Sequence, residues 1–117
     1  MTIATVYTVL ADGATSEEVL GVGRLVDPRI VLADEDLRRR LTQLISTEAR
    51  FRVGLADAVD GQLTVEVIDA EELHSGRNAN LMVLSLCNPS QLPPEAGEDV
   101  RVDWRWCEVL SPPPKWC

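Results

Sequence analysis

Short runs of alternating apolar residues, each closed by a turn signal, limit the fold of this chain more than any other feature. Ile3 to Leu10 is β-prone and ends at Ala11-Asp12-Gly13. A second run, Gly21-Val22-Gly23-Arg24-Leu25-Val26, stops at Asp27-Pro28. Its two glycines indicate a bent strand or a close backbone approach. Ile30-Val31-Leu32 is a short buried strand, and Phe51, Val53 and Leu55 alternate with Arg50 and Arg52. Val59-Asp60-Gly61-Gln62 reads as a hairpin turn, after which Leu63, Val65 and Val67 resume the alternation. His74-Ser75-Gly76-Arg77-Asn78 is a polar loop, and Leu81 to Leu86 is apolar on both faces, as a central strand is. A Pro-rich connector from Pro89 to Gly97 leads to Val100, Val102, Trp104 and Trp106, which mark one face of a last strand. This spacing predicts an all-β fold, an antiparallel barrel of about six strands.

The period changes once. Leu37, Leu41, Leu44 and Ile45 form one helical stripe. Asp34 is placed to cap that helix, and Glu35 and Asp36 suit the positive end of its dipole. Three adjacent helical acids point about 100° apart, so they do not converge on one cation. Glu71 and Glu72, near Asp69, read as solvated side chains in place of an acid–base pair. Leu20-Gly21-Val22-Gly23 lacks the remaining glycine of a dinucleotide-binding turn.

Charge narrows the partners. With 19 acidic and 11 basic residues the net charge is −8, which disfavours nucleic acid and anionic lipid. The basic run Arg38-Arg39-Arg40 follows Asp34-Glu35-Asp36 and reads as a solvated helix face. No segment approaches the roughly 18–20 apolar residues of a membrane span. The N-terminus has no basic stretch before its apolar residues, and the expected location is the cytoplasm. Cys87, Cys107 and Cys117 are then expected as reduced thiols, with one bond between two of them as the alternative in an oxidising compartment. There is no CxxC pair and a single His, so neither a metal site nor any other cofactor is expected.

Three ordered segments resemble the trypsin-like (chymotrypsin-fold) serine proteases. Gly21 to Leu37 is similar to the family's G-[SG]-G-x-L-[IV]-x-P-x-x-V-L-T-A-A-H-C segment. Val67 to His74 followed by Ala79 to Leu86 resembles the stretch ending H-P…N-D-[IL]-A-L-L-[RK]-L. Pro89 to Pro93, Ala96-Gly97 and Val100 to Trp104 resemble P-V-x-L-P…A-G…V-x-V-x-G-W-G, and Glu108-Val109-Leu110-Ser111 continues the likeness to Cys117. The resemblance implies the family's N-terminal six-stranded barrel over residues 1–93, then a crossover strand and a Trp/Cys/Pro-rich tail over 94–117.

The same resemblance implies that the chain is not an enzyme. The family's general base falls on Asp36 and its orienting carboxylate on Asn80, while the Gly-Asp-Ser-Gly-Gly segment is absent. A carboxylate with an ordinary pKa of about 4 is a weak base for a serine hydroxyl, and an amide does not stabilise an imidazolium. The lone His74 matches a loop position of the family. The expected function is a non-catalytic protease homologue that binds a protein partner or itself through exposed apolar surface and the tail. Trp104, Trp106 and Trp116 are the candidate contacts, since tryptophan is favoured at binding hot spots. Two other readings of those rings stand beside it: they cover the barrel, or the chain is a precursor or scaffold whose Trp/Cys-rich tail is the functional, modified part.

Overall fold

The computed structural model describes residues 2–76, 81–94, 105–115 and 117. Strand β1 (Ile3–Val9) pairs antiparallel with β2 (Thr15–Asp27), which pairs with β3 (Ile30–Ala33). After helix α1 (Glu35–Leu44) come β4 (Phe51–Val59), β5 (Gln62–Gly76) and β6 (Met82–Leu86). The hydrogen-bonded order is β4-β1-β2-β3-β6-β5, and pairing of β4 with β5 closes the ring. The result is the expected all-β antiparallel barrel of six strands. A five-residue helix α2 (Arg105–Val109) and a two-residue strand β7 (Leu110–Ser111) lie outside it, β7 pairing with the end of β5.

Alternation in the strands packs the interior. Ala4 and Val6, Leu25, Val31, Val53 and Leu55, Ile68 and Leu84 are buried in one continuous cluster. Helix α1 plugs one end. Asp34 Oδ1 accepts from Leu37 N at 2.8 Å, the capping bond expected of it. Leu37 and Leu41 are fully buried, each worth about 2 kcal/mol of apolar burial, whereas Ile45 is the helix C-cap and lies exposed. The helix sits so close to β2 that a Cβ on Gly21 would lie 2.9 Å from Leu37 Cβ. A Cβ on Gly23 would lie 2.5 Å from the Leu32 carbonyl oxygen, so both glycines mark close approaches.

The β4–β5 hairpin turns at Asp60 (φ 52°) and Gly61 (φ 77°). This Asp-Gly pair takes the left-handed backbone of a two-residue turn and pairs Val59 with Gln62 and Ala58 with Leu63. That register decides which way β5 faces. Val53 and Leu55 point into the barrel, so their partners Ile68 and Glu66 do too. Leu63, Val65 and Val67 are thereby turned outward.

Three expectations need correction. The polar loop begins later than expected, because β5 runs to Gly76 and His74 is a fully buried strand residue. Trp106 is helical, not on a strand; Val100, Val102 and Trp104 lie outside the described residues. Cys107 and Cys117 are joined in a disulfide, ten residues apart in sequence, and only Cys87 is a free thiol.

Candidate functional site

One Ser–His pair exists among the described residues. Cross-strand pairing of His74 with Val83 and of Glu72 with Ser85 brings β5 and β6 side chains together. His74 Nε2 lies 2.8 Å from Ser85 Oγ, and His74 Nδ1 lies 2.5 Å from the Pro112 carbonyl oxygen. The carbonyl only accepts, so Nδ1 carries a proton, while Nε2 meets the Ser85 hydroxyl, which also donates to the Glu72 carbonyl oxygen at 3.4 Å. The arrangement has the connectivity of a base and its hydroxyl. Both side chains are buried, however, and the orienting group is a neutral backbone carbonyl. The pair links β5 and β6 to the tail through the Pro112 carbonyl.

The tail is held at several further points. β7 pairs Ser111 with Ser75 and Leu110 with Gly76. Lys115 Nζ meets Glu71 Oε1 at 2.5 Å, and Glu71 raises the lysine's pKa. Trp106 and Leu110 pack on Val26, Ile30 and Val83, outward-facing residues of β2, β3 and β6. With only 9% of its surface accessible, Trp106 covers the barrel wall. Trp104 and Trp116 lie outside the described residues.

Of the two positions that the resemblance matches to the catalytic pair, Asp36 lies among the described residues. Asp36 lies exposed in the first turn of α1, its carboxylate 3.8 Å from Arg39. Asn80 lies outside the described residues. Cys87 is exposed, and its thiol is pushed up by burial of the group and by the nearby Glu71 and Asp69. That disfavours the thiolate a nucleophile needs. Among the described residues no cluster of His, Cys, Asp and Glu is placed to hold a metal, and no helix is long and apolar enough to cross a membrane.

Two further surfaces stand out among the described residues. A cleft of about 410 Å³ opens between the end of α1, the start of β4 and the middle of β5. Leu44, Phe51 and Leu73 line it, with Arg50 and Glu72 among its polar groups. The other surface is the outer face of β5, β4 and β1. Leu63, Val65 and Val67 are 75%, 59% and 67% exposed, and Ile3 is also exposed. Ala58, Ala56 and Gly54 lie directly opposite the first three on β4. Period-2 alternation revealed these apolar residues in the sequence; which side they face depends on the hairpin register. No protein-family model and no curated protein sequence matches this chain.

Proposed function

We propose that this chain is a non-catalytic homologue of the trypsin-like serine proteases that works by binding protein. The observation that carries the reading is the outward ladder Leu63, Val65 and Val67, apolar side chains left in water on a continuous sheet face. The opposite wall of the barrel also presents outward apolar residues, and there Trp106 and Leu110 cover them. The sealed Ser85–His74 pair and the exposed, Arg39-paired Asp36 support a role without catalysis. The six-stranded barrel is the fold that the resemblance implies for such a homologue.

A cytoplasmic location belongs to the same proposal. There the glutathione pool would hold the Cys107–Cys117 bridge open. Thiol trapping of the protein in its own cells decides the point: two trapped thiols at Cys107 and Cys117 agree with the cytoplasm, and a closed bridge places the chain in an oxidising compartment.

The binding reading is tested with Val65→Lys, an outward change that leaves the core untouched. The expected result is that whatever associates with the wild-type chain, a second copy included, is lost with this variant while the circular dichroism spectrum is unchanged. Association that survives Val65→Lys removes the β5 face from the function.

A further inference from the structure

We propose that the outer face of β4 and β5 is a homotypic interface, in which the Leu63–Val65–Val67 ridge of one copy seats in the Ala58–Ala56–Gly54 trough of another. The inference rests on the binding-module reading and names its partner as a second copy of this chain.

Steric pattern carries it. Along β5 three large outward side chains stand in a row, and along β4 three small ones stand beside them in the same order, paired Leu63 with Ala58, Val65 with Ala56 and Val67 with Gly54. Neighbouring strands lie about 4.8 Å apart and packed sheets about 10 Å apart. A two-fold axis parallel to the strands, midway between β4 and β5, therefore lays each β5 over the other copy's β4 with no shift along the strand. Leu63 and Val65 then face Ala58 and Ala56, and Val67 faces Gly54 beside the Tyr7 ring edge, 3.7 Å from where a Gly54 Cβ would stand, so that large residues seat against small ones as packed layers do. The contact is isologous and closes on itself as a dimer. An unrelated partner would need no such match between adjacent strands.

Charge points the same way. Each copy carries a net charge of −8, yet these six positions are uncharged. In the next row Arg52 and Asp69 neutralise each other, Nε to Oδ1 at 2.6 Å. A second acidic copy thus approaches most easily here. The axis also places the two hairpin tips, each with Asp60, side by side. Added salt screens that repulsion and the net charge, and so strengthens the dimer.

Area sets the strength. Three rows over β5, β4 and β1 make a footprint about 14 Å wide and 20 Å long, well under the about 800 Å² per partner of a standard interface. The dimer is accordingly weak and reversible, with dissociation in the micromolar range or above.

Sedimentation of the whole chain from about 1 μM to 1 mM, at low and high salt, tests this. The expected result is a monomer–dimer equilibrium that salt shifts toward dimer. Val65→Lys, which puts a charge on the ridge, and Ala56→Leu, which fills the trough, each abolish it. Ile45→Lys, an exposed apolar position on α1, leaves it unchanged. A chain that stays monomeric throughout, or a dimer indifferent to Val65→Lys and Ala56→Leu, overturns the proposal. A monomer that binds a different protein through Val65 overturns the homotypic inference and leaves the binding-module reading standing; association that ignores the β5 face ends both.

Discussion

Ser85 Oγ lies 2.8 Å from His74 Nε2, and neither side chain reaches solvent appreciably. The contact joins two neighbouring strands, and the other ring nitrogen reaches the Pro112 carbonyl of the tail. Hydroxyl, imidazole and carbonyl form a chain of three groups in which each polar atom has a partner, as burial requires. In a catalytic triad the imidazole is oriented by a carboxylate and the hydroxyl faces a substrate cavity. Here the orienting group carries no charge, and the hydroxyl lies on the outer wall of the barrel, on the same side of β6 as Val83 and buried beside the tail.

Replacing His74 by Ala removes a fully buried side chain, leaves the Pro112 carbonyl without its His74 partner, and leaves the Ser85 hydroxyl only the longer bond to the Glu72 carbonyl. The expected loss is about 3 kcal/mol, combining the cavity with the stranded polar groups. The tail loosens first. Amide exchange at Leu110 and Ser111 should rise more than at Val53 or Leu55 in the core. Equal protection of β7 in variant and wild type would mean that Trp106, Leu110 and Lys115 suffice to hold the tail.

Peptidase and esterase activity are both expected to be absent, with no labelling by serine-directed phosphonates. A serine hydroxyl is a weak nucleophile near neutral pH unless a base can reach it at an accessible site. The double change Asp36→His and Asn80→Asp should also give no activity, because it supplies no serine in the Gly-Asp-Ser-Gly-Gly context of the family's nucleophile. Stoichiometric phosphonate labelling traced by mass spectrometry to Ser85 would show that the buried pair opens to substrate.

Local signals were the legible part of this fold. Asp34 announced the start of α1, Asp60-Gly61 the hairpin, and Gly21 and Gly23 the tight packing of β2. Each depends on residues close in sequence and on backbone geometry those residues prefer. His74 was misread because strand continuation past Leu73 depends on β6 pairing alongside, through His74 with Val83 and Ser75 with Met82. The polar run that follows outweighed that non-local contact. Trp106 was misread for a related reason: in the sequence it continues the alternation of Val100, Val102 and Trp104, while its helical placement buries it against Val26, Ile30 and Val83, far away in the chain. The outward ladder on β5 was visible only as alternation. Its direction follows from the hairpin register, since a slip of one residue exchanges the two faces.

Acid should weaken the barrel through two carboxylates. The Arg52 hydrogen bond is the main cause that holds Asp69 below its ordinary range, and the Thr2 hydroxyl, 2.9 Å away, does the same for Asp57. A carboxylate whose folded pKa is depressed releases protons more readily in the native state than in the unfolded one. Its contribution is therefore complete above the unfolded value of about 4 and fades as pH falls through the lower folded value. Both groups are solvent-screened, so each contribution is modest. Asp69→Asn removes one of them at its source. Urea midpoints should be lower for Asp69→Asn than for wild type at pH 7, and the two should converge toward pH 2.5. Lys115 has the opposite sign: its pKa is raised by Glu71, so its contribution is present at neutral pH and is lost only above about pH 10.4. A gap between wild type and Asp69→Asn that stays constant from pH 7 to pH 2.5 would show that the Arg52–Asp69 pair does not couple folding to proton binding.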